Sequence, residues 1–410
     1  MRIRSRAVRV VQRLSMILAC AVAPVIAIAF GAPPGYALLA IPLVLAVRRA
    51  SGEGSALALV VSSGAALALY AIVLRATGLD QAIYYRFHER FATWDARLGH
   101  RAYLPGVTYH AREYGDLQIF THEPIAESRD VVFHSDSDGF RNDHDYAGEP
   151  WVLVGDSFVL GVGTTQAEIL QACLERRGIR AYNLAHPGGP LDYEIFWRSF
   201  VSRHGKASRP VLFLFEGNDF PETAGAREQS ALSAGFDIGL RGAIAPLTRL
   251  STYRVTRSLV ARVAKRGALY GEQVVVVQVG GKPMGFLQRY MDHARAPQLE
   301  DMTLTDAAFA RMAPDLAAVF FIPDKYRVYQ PWVAPQERLP NASWEHLAQL
   351  CEEYRVRCTD LTPALIRRSE ALLSAGRFTW WRDDHHWNGE GIDAAAERVA
   401  EVLHELDGRS

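Results

Sequence analysis

From Trp151 onward, short apolar runs alternate with stretches whose apolar residues recur at helical spacing. Trp151–Val154 is an unbroken apolar run of the kind buried on both faces of a parallel sheet. Gln166–Arg177 then reads as an amphipathic helix, Ala181–Leu184 as a second strand, Asp192–His204 as a helix and Val211–Phe215 as a third strand. This βαβαβ alternation predicts a doubly wound α/β parallel sheet with helices on both faces. It resumes near the C-terminus with a strand at Ala317–Ile322, a helix at Trp344–Tyr354 and a strand at Val356–Thr359. A closing helix, Ile392–Leu406, carries Ile392, Ala395, Ala396, Val399, Val402, Leu403 and Leu406 on one face.

Two stretches break the alternation. Residues 79–148 form a polar, aromatic-rich lead-in with little regular periodicity. Residues 220–316 read as an insertion. Within it, Gln273–Val279 and Pro283–Leu287 are a strand pair about a Gly280-Gly281 turn. The insertion also holds a basic stretch, Gly239–Arg266, suited to lipid head groups, to an anionic glycan or simply to solvent.

Ahead of the lead-in lie three apolar runs, Leu14–Phe30, Pro33–Val47 and Ala56–Leu74. A spanning helix needs about 17–25 residues. The first and third runs reach that length, and the second is shorter and contains Pro42. Arginines cluster before the first run and again at Arg48 and Arg49. By the positive-inside rule this predicts three transmembrane helices over residues 1–78, with everything beyond them outside the cytoplasm. The expected location is therefore a bacterial inner membrane, with residues 149–410 as a periplasmic catalytic domain. The competing reading is a cleaved signal peptide ending near Ala32.

Composition sharpens this division. The 410 residues carry no net charge, which gives no sign of a nucleic-acid partner, and 49% are hydrophobic, which excludes disorder. The first 75 residues hold eight Arg against one Glu, so an apolar basic head precedes a mildly acidic body. Of the four cysteines, Cys351 and Cys358 are suited either to pairing in an oxidising compartment or to remaining free.

Four short blocks carry the candidate chemistry. Gly155-Asp156-Ser157-Phe158 follows the first strand, placing a serine hydroxyl at the carboxyl edge of the sheet, where open α/β folds bind ligands. Asn183-Leu184-Ala185-His186-Pro187-Gly188-Gly189 follows the second strand, and Glu216-Gly217-Asn218-Asp219 the third. Asp383-Asp384-His385-His386-Trp387-Asn388 precedes the final helix. All four project from one sheet edge. Ser135-Asp136-Ser137-Asp138-Gly139 has the acidic spacing of a calcium loop, but His134 stands where such a loop should begin. The Asp384-His385-His386 run offers metal-ligand types, yet successive side chains diverge, so neither metal nor cofactor is expected.

This ordered set resembles the SGNH/GDSL hydrolase superfamily. It is most similar to membrane-anchored bacterial members that read Gly-Asp-Ser-Phe before a Gly-x-Gly turn, here Gly161 and Gly163, with an Asp138-Gly139-Phe140-Arg141 lead-in. The resemblance covers roughly residues 131–220 and 315–406 and implies a flavodoxin-like three-layer fold. It implies Ser157 as nucleophile and His386 as general base. The Ser157 and Gly188 backbone N–H groups and the Asn218 amide would form the oxyanion hole. The orienting acid would be Asp383, three residues before the histidine, or Asp384, two before it. Trp387 favours Asp384, because the alginate O-acetyltransferase-like branch pairs that spacing with a Trp after the His. His186 is suited to lining the pocket or to the core, and His385 to the surface or the substrate side. Phe321–Tyr329 also resembles that branch, without an assigned catalytic role.

The leading expectation is an envelope-anchored serine esterase that removes small acyl groups, such as O-acetyl, from a glycan or lipid. Its alternative is an O-acyltransferase that modifies an extracytoplasmic polysaccharide with the help of a membrane acyl-donor partner. A third reading is a catalytically silent protein that binds envelope glycan.

Overall fold

The computed structural model describes residues 88, 91–95, 100–121, 123–220, 273–297, 299 and 302–408. The lead-in begins with two antiparallel hairpins: β1 (Ala92–Asp95) with β2 (His100–Tyr103), and β3 (Thr108–Glu113) with β4 (Arg129–His134). The sequence suggested little regular structure here. β3 and β4 are joined by a long connection rather than a tight turn, so no local turn signal announces their pairing.

Next come β5 (Trp151–Val154), α1 (Ser157–Leu160), α2 (Leu170–Glu175), β6 (Ala181–Asn183), α3 (Pro190–His204) and β7 (Arg209–Phe215). The helix expected over Gln166–Arg177 is divided. Ile169 is extended, and a 3-10 turn at Gln166–Glu168 precedes α2. Thr165 Oγ1 and Gln166 Oε1 accept from the β4 N–H groups of Val132 and His134, so β4 holds this segment outside a helical ladder.

The antiparallel pair β8 (Val274–Val279) and β9 (Lys282–Leu287) turns through Gly280 and Gly281, whose φ values of 56° and 77° suit a two-residue hairpin turn. Helices α4 (Gln288–Arg295) and α5 (Thr303–Met312) lead to β10 (Ala318–Ile322). After these come α6 (Lys325–Val333), α7 (Ala342–Tyr354), β11 (Arg357–Asp360), α8 (Thr362–Leu373) and α9 (Gly389–Asp407). Cys351 and Cys358 form a disulfide that ties α7 to β11.

Five strands form one parallel sheet in the order β11-β10-β7-β5-β6, which fits the expected SGNH, flavodoxin-like fold. From β5 the chain steps outward to β6 and then returns to β7 on the other side of β5. The direction of winding therefore reverses at β5, and a ligand crevice is expected beyond the carboxyl ends of β5 and β7.

Alternate side chains of the central strands feed two cores. Trp151, Leu153, Val211, Phe213, Ala318 and Phe320 pack with residues of α2, α6, α8 and α9. Val152, Val154, Leu212, Leu214, Val319 and Phe321 pack with residues of α3, α5 and α7. Burial on both faces explains why these strands read as continuous apolar runs.

The membrane expectations are corrected. The three apolar runs and the basic stretch Gly239–Arg266 lie outside the described residues. Among the described residues no helix is long and apolar enough to cross a membrane. The N-terminal transmembrane helices, the membrane-anchored relationship, the inner-membrane and periplasmic location and the membrane partner therefore find no support and are not retained.

Candidate active site

Ser157 opens α1 at the carboxyl end of β5. Asp156 caps the helix, its Oδ1 accepting from the Phe158 N–H at 2.8 Å. Gly161, at φ 80°, ends α1, with its N–H on the Phe158 carbonyl at 3.0 Å. The turn beyond is fastened by Arg141, the last residue of the lead-in motif. Its guanidinium donates to the carbonyls of Val132, Leu160, Gly161 and Thr164 and to Gln166 Oε1. This four-residue helix therefore does not depend on its own ladder for its position.

The loop before α9 brings His386 over Ser157. His386 Nε2 lies 2.8 Å from Ser157 Oγ, and Nδ1 lies 2.7 Å from Asp384 Oδ1. An ionised carboxylate only accepts, so Nδ1 carries the proton and Nε2 is left to accept from the serine hydroxyl. Trp387 backs the arrangement, its indole N–H donating to the Phe158 carbonyl at 3.0 Å.

Of the two adjacent aspartates, Asp384 is the one in contact with His386. Asp383 points away, its Oδ2 accepting the N–H groups of Gly115 and Glu127, each at 2.8 Å. Gly115 must be glycine for this approach, because a Cβ there would overlap the Asp383 backbone. Burial raises the Asp384 carboxyl, but His386, its hydrogen bond, Arg129 and His385 outweigh that and hold it well below the ordinary range.

Two buried cations hold the same loop, and neither was expected from the sequence. Arg129 of β4 donates to both Asp383 and Asp384. Lys325, the first residue of α6, donates to the carbonyls of Gly285, Trp381 and Asp384 at 2.7, 2.8 and 2.9 Å. Burial pushes the Lys325 ammonium down to about 7. Nothing local marks either residue, since each acts across a large sequence separation.

The other expected site residues are placed less directly. Asn218 follows β7 and donates its amide to Asp156 Oδ2 at 3.4 Å. Gly188 precedes α3, where a Cβ would crowd Asp192. Among the described residues neither makes a hydrogen bond to Ser157 or His386 in this structure. Asp156 is pushed up to about 6 by burial, opposed by the Phe158 N–H and the Asn218 amide.

His186 is a core residue that packs on Tyr103 and Phe196. His385 packs against His386 with ring centroids 3.9 Å apart and planes tilted by 37°, and its Nδ1 lies 3.0 Å from Asp116 Oδ2. The adjacent side chains thus converge instead of diverging, and the ligand atoms of Asp384, His385 and His386 lie within 4.8 Å of one another. Both nitrogens of His386 are nonetheless engaged by Ser157 and Asp384, which leaves no clear donor set for an ion. The calcium-like segment is tied internally, with Asp136 accepting from Tyr182, Asn142 and the Phe140 N–H.

The five-stranded parallel sheet, with Ser157, His386 and Asp384 linked by hydrogen bonds at its carboxyl edge, fits an SGNH-like fold. The family described as "SGNH hydrolase-like domain, acetyltransferase AlgX" matches residues 284–409. That C-terminal part, which holds Asp384 and His386 but not Ser157, is similar to the family. No curated protein matches the chain, and no solved structure does.

Proposed function

We propose that the chain is a serine-dependent O-acyltransferase. The observation that carries this reading is the linked Ser157–His386–Asp384 arrangement, in a chain whose C-terminal part is similar to an acetyltransferase family. Ser157 Oγ attacks the acyl carbonyl while His386 Nε2 takes its proton, and Asp384 stabilises the imidazolium through Nδ1–H. The Ser157 and Gly188 N–H groups and the Asn218 amide are the donors for the oxyanion. Asn218 must turn from Asp156 towards the substrate to serve there. His386 then protonates the leaving group, and an acyl-Ser157 ester remains.

In the second half-reaction a hydroxyl of a glycan attacks that ester. His386 takes the proton of the incoming hydroxyl and returns it to Ser157 Oγ, so the acyl group ends on the acceptor. Water in place of the glycan would make the same site an esterase.

Treating separate samples of the chain and its Ser157→Ala variant with a fluorophosphonate and with p-nitrophenyl acetate tests the reading. Labelling is expected in the parent and not in the variant. An acetyl burst with slow turnover that added oligosaccharide accelerates supports transfer, and rapid turnover without acceptor identifies an esterase. Absence of labelling in folded parent protein would overturn both enzyme readings in favour of a silent glycan-binding protein.

A further inference from the structure

The proposed reaction needs one carboxylate behind His386, and the chain places two there, adjacent and buried. Two uncompensated anions beside an imidazole favour its protonated form, which cannot act as a base. Between them lies a guanidinium. Arg129 Nη1 donates to Asp383 Oδ1 at 2.8 Å and Nη2 to Asp384 Oδ2 at 2.9 Å. The side chains of Arg129, Asp383 and Asp384 are 5%, 0% and 2% exposed, so water screens this charge poorly. The indole of Trp381 lies against the guanidinium, 4.4 Å away, and limits its movement.

The fixed spacing of the fork separates the two carboxylates. Asp383 is left facing the Gly115 and Glu127 N–H groups, and Asp384 keeps Oδ1 for His386. We infer that Arg129 is a positioning residue for the reaction proposed above, selecting which carboxylate faces His386 and offsetting the charge of the second. This rests on the acyltransferase reading. It also makes the lead-in part of the site, since β4 lies outside residues 284–409.

The charged and titratable groups near His386 come from several elements. Its own loop supplies Asp383, Asp384 and His385. β4 supplies Arg129, β3 supplies Glu113 behind Asp384, and Asp116 pairs with His385. The turn before α1 supplies Asp156, and α6 supplies Lys325 on the Asp384 carbonyl. Among the described residues, Arg129 is the cation that bonds the carboxylates of Asp383 and Asp384, whereas Lys325 bonds backbone carbonyls.

The test is the pH dependence of fluorophosphonate labelling at Ser157 in the full chain. Removing the nearby positive charge favours imidazolium, so Arg129→Met should move the acid limb upward by about one pH unit or more. Arg129→Lys, which keeps the charge without the fork, should move it less. Arg129→Met combined with Asp383→Asn restores the charge balance and should return the limb towards that of the parent. An Arg129→Met variant that is slower by one factor at every pH, with its acid limb unmoved, would assign Arg129 a structural role only and overturn the inference. If that variant does not fold, Arg129→Gln, which also removes the charge, takes its place, and an unmoved limb there overturns the inference equally. Absence of Ser157-dependent labelling in the parent would remove the acyltransferase reading and this inference together. Labelling in the parent with unmoved limbs would remove the inference alone.

Discussion

A carboxyl taken out of water is most stable when neutral, and Glu113 is in that position. Burial raises it from 4.5 to about 7, only partly opposed by Arg129 and by the hydrogen bond it accepts from Tyr109 at 3.1 Å. Through that window the unfolded chain gives up a proton that the folded chain retains. The contribution is therefore full below pH 4.5 and lost as pH rises through about 7. Glu113→Gln should leave the midpoint of thermal unfolding nearly unchanged in mild acid and raise it near pH 8, by up to about 3 kcal/mol of stability. Equal effects at both pH values would contradict the assignment. At this scale the sequence was informative wherever a residue acts within its own turn. The two-residue spacing of Asp384 from His386 is a local relation, whereas Ser157 lies 229 residues from His386 and was singled out by the motif around it. Arg129, Lys325 and Glu113 act across the fold, and nothing in their immediate neighbours reveals the partner.

The same contrast holds between elements. The strands of the parallel sheet were legible because burial on both faces leaves an apolar run in the sequence. The pairing of β3 with β4 was not, because it spans a long connection and the two strands are only half-buried. Arg141 shows what the lead-in contributes. Its N–H groups satisfy the carbonyls of Leu160, Gly161 and Thr164 beyond the Ser157 helix and that of Val132 in β4. Arg141→Met would deprive the Leu160, Thr164 and Val132 carbonyls of its donors, whereas the Gly161 carbonyl keeps Thr164, and each buried acceptor left unpaired costs roughly 1–3 kcal/mol. The expected loss is about 3 kcal/mol or more in chemical denaturation, together with slower labelling of Ser157. Unchanged stability would mean that water replaces the guanidinium and that the turn does not depend on it.

For the whole molecule, sheet order and chain order differ in a way that constrains which pieces can fold. The segment similar to the acetyltransferase family contains β10, β11 and the His386 loop, but β10 pairs with β7, which lies outside that segment. Alone, residues 284–409 would present one side of β10 as an unpaired, wholly apolar edge. An exposed edge of that kind invites aggregation. They would also lack Arg129, which holds the loop, and Ser157, which His386 faces. Expressed by itself, the segment should therefore be insoluble or unfolded by circular dichroism and should not react with a fluorophosphonate. A soluble, cooperatively unfolding fragment would show that the C-terminal part is an autonomous domain, and that the pairing of β10 with β7 is dispensable for its stability.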